Sequence, residues 1–276
     1  MPNPLVSLVI TTLNEEKNIE NCLQSIKSQT YPNIEIIVVD NFSTDKTQTI
    51  AKPYTELIFT KGPERSAQRN FGMIEKSQGE YVMFIDADMT LSPDLIARCV
   101  AAMQDASLVA LHISEIVLGE NFWSQVRRFE RSFYDGTVID GARFFRKNSF
   151  VAVGGFDETM SGPEDWDIYK KIKKEGEILL IPNEGTKAVI FHNEAEFNFK
   201  KYLKKKKYYS QSFDTYVAKW GATDPDIKKQ LGLWYRYFGV FLEQDKWEKL
   251  FSHPILTVGL YFLRGVVGVV YLINKK

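Results

Sequence analysis

Three acidic stretches and one histidine hold the residue types that can do chemistry in this chain. Asp86-Ala87-Asp88 sets two carboxylates one residue apart, and Glu164-Asp165-Trp166-Asp167 crowds three acids into one turn behind Gly162-Pro163. Asp40 opens the run Asp40-Asn41-Phe42-Ser43-Thr44-Asp45, and His192 opens His192-Asn193-Glu194. Carboxylates this close repel, and a bound cation is the common reason to tolerate the repulsion at Asp86 and Asp88. Simple helix capping stays open for Ser43, Thr44 and Asp45. Pro163 suits a first helical position, and acids behind it complement the helix dipole. That accounts for acidity but not for three carboxylates beside a tryptophan. Arg65 and Arg69, four apart, share one face of a helix, either toward an anion or as a solvated basic face. His112 and His253 have no comparable neighbours and read as structural.

The elements that must position these groups are legible in the apolar pattern. Residues 5–11, 34–40, 56–59, 81–85, 108–113 and 188–191 read as strands, being short and rich in Val, Ile and aromatics. Residues 15–28, 45–51, 65–77 and 93–103 read as helices; in the first, Ile19, Cys22, Leu23 and Ile26 recur at helical spacing. Near-continuous apolar strands alternating with helices predict an α/β fold, a mostly parallel sheet covered on both faces. Ligands of such sheets bind beyond the carboxyl ends of the strands. Thr11-Thr12-Leu13-Asn14-Glu15, Asp40, Asp86-Ala87-Asp88 and His192 all fall at those ends.

Composition removes several alternatives. With 35 Lys+Arg against 35 Asp+Glu the chain is neutral, which argues against a generic nucleic-acid binder. At 44% hydrophobic and 25% charged it can build a core. Cys22 and Cys99 permit at most one disulfide and no cysteine-rich zinc module, so a reducing, cytoplasmic setting is expected. The first residues lack the cationic start and long apolar core of a secretory leader. Gly-rich phosphate loops and dinucleotide turns are absent, as are His-Glu-x-x-His and Gly-x-Ser-x-Gly. A nucleoside diphosphate bound here therefore needs a metal to neutralise it.

Val9 to Glu16, Val38 to Asp45, Phe84 to Asp88, Gly154-Gly155-Phe156-Asp157-Glu158 and Gly162 to Asp167 resemble, in order and spacing, the motifs of the GT-A inverting glycosyltransferase family 2. The likeness covers roughly residues 4–195. It implies a GT-A (Rossmann-like) domain over 1–195, a nucleotide-sugar donor (a UDP-sugar favoured), Mn2+ or Mg2+, and a saccharide or lipid-linked saccharide acceptor. By that resemblance Thr11, Asn14, Glu15, Asp40, Arg65, Arg69 and Asp86 bind the donor nucleotide. Asp40 would read the base and Asp86 would sit near the ribose. Asp88, with Asp86 and His192, would hold the metal; Gly155, Glu164 and Trp166 would line the acceptor and sugar pocket; Asp165 would be the general base. A metal clamping the diphosphate stabilises a departing anion, and inversion by direct displacement needs a base for the acceptor hydroxyl. The Gln-x-x-Arg-Trp signature of processive synthases is missing, so one sugar per visit is expected. The rivals are a polyprenyl-phosphate glycosyltransferase, which can dispense with a base, and an inactive sugar-nucleotide binder.

Residues 196–276 change character. Of 37 aromatics, 19 lie between residues 191 and 271, and Lys200, Lys201 and Lys204 to Lys207 put six lysines in eight positions. Helical segments are expected over 197–219, 227–251 and 255–273. The last is nearly long enough to span a bilayer, but Arg264 stands at its middle. In-plane attachment to the inner face of a membrane, packing on the catalytic domain, and a true span are the three readings. Oligomeric state is silent.

Overall fold

β1 (Val6–Thr12) is buried along its whole length, and its side chains alternate between two apolar layers. Val6, Leu8 and Ile10 meet Ile19, Cys22, Leu23 and Ile26 of α1 (Ile19–Lys27), while Val9 joins Ile37, Val39, Met73 and Phe84 on the other face. β2 (Ile34–Asp40) and β4 (Tyr81–Asp86) divide their side chains in the same way, so the expected two-faced sheet is present. The computed structural model describes residues 3–194 and 197–274.

The main sheet has seven strands in the order β3-β2-β1-β4-β8-β6-β9, completed by β3 (Ile58–Thr60), β6 (Leu108–His112), β8 (Ala142–Arg146) and β9 (Glu177–Leu180). Its pairs are parallel except those of β8, which runs antiparallel to both β4 and β6. Register decides what the sheet edge presents. Thr12 lies opposite Asp40 and Thr11 opposite Asp86, so the carboxyl ends of β1, β2 and β4 finish level. A second sheet, β5-β10-β7, is formed by β5 (Met89–Leu91), β7 (Ser114–Val117) and β10 (Val189–His192). The strand expected over 188–191 is thus present but outside the main sheet: it pairs antiparallel with β5, His192 opposite Met89.

The helices of this part are α1, α2 (Thr47–Ala51), α3 (Arg65–Asn70), α4 (Leu95–Ala102), α6 (Lys147–Ala152) and α7 (Glu164–Ile172), with α5 (Phe122–Arg131) in the second unit below. α3 continues as a π-helical turn, Phe71–Lys76, so the helix expected over 65–77 changes pitch half-way. Gly72 lets that turn approach the sheet: a Cβ there would come within 2.4 Å of Val9 Cγ1.

The chain forms two compact units that interleave in sequence. The first takes residues up to Glu115, Gly141–Glu158 and Glu164–His192; the second takes Ile116–Asp140, Thr159–Pro163 and the chain from Asn193. The single cut expected at 195/196 lies outside the described residues. The second unit contains α5, α8 (Phe199–Ser210), α9 (Phe213–Trp220), α10 (Pro225–Leu231), α11 (Val240–Leu242), α12 (Glu248–Ser252) and α13 (Pro254–Asn274). The helix expected over 197–219 is therefore two helices. That expected over 227–251 is several short pieces, broken by Gly232 and by positive φ at Gln244 and Asp245.

Candidate active site

Asp86, the last residue of β4, lies in the first unit with every group it touches. Its Oδ1 accepts from Thr11 Oγ1 across the ladder at 3.2 Å and from Arg69 Nη2 at 3.2 Å. The same guanidinium reaches the first turn of α7, where Nη1 donates to Asp165 Oδ1 at 3.1 Å and lies 3.8 Å from Glu164 Oε1. Arg69 is fully enclosed, with Cζ 4.0 Å from the Phe84 ring centre and 5.3 Å from that of Phe156. Arg65, half-exposed, donates to Glu164 Oε1 at 3.2 Å. α3 therefore presents both arginines to the acids at the start of α7, as their shared helix face requires. Gly141 packs against Asp165, where a Cβ would meet Asp165 Cβ at 3.0 Å.

Exposure separates the two neighbouring acids. The Asp165 side chain is 30% exposed and that of Glu164 is 3%. Burial, helped by the Asp165 charge, raises the Glu164 pKa against the pull of Arg65 and Arg69. Burial also works against ionisation of Asp86, yet Arg69, Arg65 and Arg143 together hold it well below the usual carboxylate range. Asp86 is a fixed anion at any physiological pH.

The second group starts from the small sheet. His192 Nδ1 lies 2.7 Å from Glu115 Oε1 in β7, and its Nε2 lies 3.3 Å from Asp88 Oδ2. Arg143 of β8 donates to the other oxygen of Glu115 at 2.9 Å. Burial alone would lower the His192 pKa, but hydrogen bonds to Asp88 and Glu115 override it and push the value up to about 10. Asp88 Oδ1 is buried and has no hydrogen-bond partner. Among the described residues no three His, Cys, Asp or Glu already form a ready metal cluster. An orphaned carboxylate oxygen beside an imidazole nevertheless fits a divalent ion that takes its remaining ligands from elsewhere.

The remaining expected residues have other surroundings. Asp40 is fully buried and accepts from Thr12 Oγ1 (2.7 Å), Ser43 N (2.8 Å), Ser43 Oγ (2.5 Å) and Gln48 Nε2 (2.8 Å). Burial raises its pKa, and these donors reverse that and lower it. Its carboxylate orders the 41–48 segment, and a donor base meets it only by displacing one of those donors. Asn14, at φ 55, accepts from Thr44 N at 2.9 Å, and Ser43 Oγ accepts from Asn14 N at 2.7 Å, zipping two strand-end loops together. Asp45 takes Thr47 N at 2.9 Å from one residue ahead of Lys46, the cap position of α2, where no side-chain cap hydrogen bond is made. Glu15 bonds Asn18 and is raised in pKa by burial and by the charges of Asp88, Asp86 and Asp45. Gly155, at φ 63, is a turn residue against Asn70, where a Cβ would lie 2.4 Å from Asn70 Oδ1. Trp166 is buried, as a core side chain is. Cys22 and Cys99 are free and buried.

Glu115, Arg143 and Gly141 belong to the site and escaped the sequence pattern. Glu115 lies just beyond the apolar run 108–113, the one signal available; Arg143 lies in β8, a strand that its own two arginines, Arg143 and Arg146, disguise.

Residues 7–156 match the model of glycosyl transferase family 2, more than half of the chain. The chain belongs to glycosyl transferase family 2. A Bacillus subtilis (strain 168) protein named as a glycosyltransferase, EpsH, is 39% identical over 100 residues, 34% of this chain and 29% of its own length. The beta-monoglucosyldiacylglycerol synthase of Nostoc sp. is 28% identical over 214 residues, 63% of this chain and 45% of that one. This family 2 chain thus spans less than half the length of these two relatives. The mannosyltransferase PcManGT of Pyrobaculum calidifontis, solved with GDP-Man and Mn2+, superposes with a TM-score of 0.64 at 21% identity, covering 98% of this chain and 85% of that one. The fold is of the GT-A type, a mostly parallel mixed sheet flanked by helices with a C-terminal helical region.

Proposed function

We propose that this family 2 chain transfers one sugar, with inversion, from a nucleoside-diphosphate sugar to a hydroxyl of a saccharide or lipid-linked saccharide. The observation that carries the reading is the fork of Arg69, which ties Asp86 at the donor edge to Asp165 at the start of α7. Asp165 is the base: it is the exposed acid of the pair, and Arg69 holds one oxygen so that the other is left to take the acceptor proton. Arg69 and Gly141 fix the direction in which that carboxylate points. Thr11 and Asp86 meet the nucleoside side of the donor, and Arg65 meets its phosphates. Asp88 and His192 would hold a divalent ion, Mn2+ or Mg2+, which when bound neutralises the departing diphosphate. The solved neighbour carrying GDP-Man and Mn2+ supports a nucleoside-diphosphate sugar as donor class; a UDP-sugar, which the family resemblance favours, is the first donor to try. The relative named for a glucosyldiacylglycerol supports an acceptor held at a lipid layer.

A thermal-shift series of nucleoside diphosphates and their sugars, with and without Mn2+, tests the donor and metal together. One nucleotide sugar should raise the melting temperature far more with Mn2+ present, and NMR of the product should show the opposite anomer. Equal shifts for all nucleotides without metal, or a product of retained configuration, overturns the reading. So does efficient transfer to a bare polyprenyl phosphate.

A further inference from the structure

The second unit exposes apolar side chains that its own core does not use. On α13 they form one stripe: Ile255, Val258, Phe262 and Val269, the first two 73% and 72% exposed. The opposite side of the helix packs inward. Leu260 and Leu263 are buried, and a Cβ on Gly259 would meet Val126 Cγ2 at 2.7 Å. Arg264, the charge that stood against a membrane reading of the sequence, faces inward too. It donates to Glu130 Oε1 at 3.2 Å, to Tyr134 OH at 3.0 Å and to the carbonyl of Arg236. Burial disfavours the charge on Glu130, but Arg127 and Arg264 hold its pKa well below the ordinary range. With that charge turned in and neutralised, every exposed side chain of α13 up to Val270 is uncharged.

α8 supplies the complement. Lys200, Lys201, Lys204, Lys205 and Lys207 are exposed, and residues 197–213 contain no acid. The two helices share an aromatic junction, since Trp123 lies 6.2 Å from Phe199 at the start of α8 and 5.6 Å from Phe262 of α13. Phe122, also exposed, packs edge-to-face with Trp123, ring centres 5.1 Å apart. Exposed Trp234, Trp247 and Phe251 add rings of the kind that settle at a bilayer interface. In a chain of zero net charge, a lysine helix joined to an uncharged apolar stripe is a local arrangement, and a soluble partner's acidic groove would satisfy only its lysines.

We propose that this face of the second unit docks on an anionic lipid bilayer, with α13 lying in the plane of the interface and the lysines of α8 on the lipid headgroups. Among the described residues no helix is long and apolar enough to cross a membrane, which fits a helix lying on the surface. The surface is separate from the carboxylates of the first unit, so its test does not depend on glycosyl transfer.

Flotation of the full chain with vesicles of phosphatidylcholine alone, or mixed with phosphatidylglycerol, tests the proposal. Binding to the anionic vesicles is expected, weakening as salt rises. The quadruple change Lys200→Gln, Lys201→Gln, Lys204→Gln and Lys205→Gln should weaken it about a hundred-fold or more, each charge near such a surface being worth about five-fold. Ile255→Ser with Val258→Ser should remove the part that survives high salt. These positions are exposed, and circular dichroism melting checks that the variants fold. Equal binding to neutral vesicles, or no flotation of the folded chain at low salt, overturns the proposal. A lipid-free dimer in ultracentrifugation that Ile255→Ser with Val258→Ser abolishes also overturns it, assigning the face to a second copy.

Discussion

Two ionic groups stand at the same edge of the first unit, and they are finished to different degrees. Around Arg69 the polar bonds pair all three acids: Asp86, Glu164 and Asp165 each meet a guanidinium, and the arginine is clamped between Phe84 and Phe156, although its own Nε has no hydrogen-bond partner. Around His192 they do not. Glu115 is met from two sides, by Arg143 and by the imidazole, yet Asp88 ends with one buried oxygen that has no hydrogen-bond partner. A closed network holds a geometry, and an open one receives a ligand. On the proposed function, the first group would position the reacting groups and the second would take a cation from outside.

The largest effect should come from Asp165→Asn. As the base, it is expected to lose about 10²–10⁴-fold in kcat while donor binding with Mn2+ persists. Intact turnover would break the division of labour just drawn. Arg69→Met strips a buried cation from three acids and should cost about 3–5 kcal/mol in urea unfolding. A cost near zero would mean the closed network is ornamental. Glu115→Gln leaves the shape of the open group but weakens the support of His192; Mn2+ affinity by calorimetry should fall about 10–100-fold. An unchanged affinity would take His192 out of the metal site.

Last comes a pH effect with opposite signs for metal and for folding. His192 titrates at about 10 in the folded chain against an ordinary 6.5, so its ring is protonated at neutral pH when no metal is bound. A divalent ion held by His192 would compete with that proton, so Mn2+ affinity should rise between pH 6 and 9, by at most about tenfold per pH unit. In folding, the raised value contributes stability that is whole below pH 6.5 and is lost as pH climbs through about 10. Metal-free melting temperature should therefore decline over that window in the native chain and be flatter in His192→Gln.

Much of the closed group was legible in the sequence. β1, β2 and β4 are apolar runs ending in Thr11, Asp40 and Asp86, and helical spacing alone sets Arg65 and Arg69 on one face. That Arg69 turns into the protein was not legible, because its place depends on Phe84 and Phe156, rings from distant strand and loop. Asp40 shows the same limit: a strand-end carboxylate looks available until the following loop folds back and fills it. The open group was half visible. Asp88 and His192 stand out by type, whereas Glu115 and Arg143 matter only because β10 lies beside β7 in the small sheet and β8 runs antiparallel beside β4. The second unit misled most about order, since its pieces are drawn from three stretches of chain.

The pairing of β5 with β10 is only three residues long, from Leu91 opposite Ile190 to Met89 opposite His192. Side chains alternate along a strand, so a slip of one position would turn the imidazole to the far side and leave Asp88 without it. The tolerance of this proposed metal corner is therefore set by backbone amides, not by the side chains proposed as its ligands. Lengthening Met89–Leu91 by one residue should silence that corner as surely as removing the histidine.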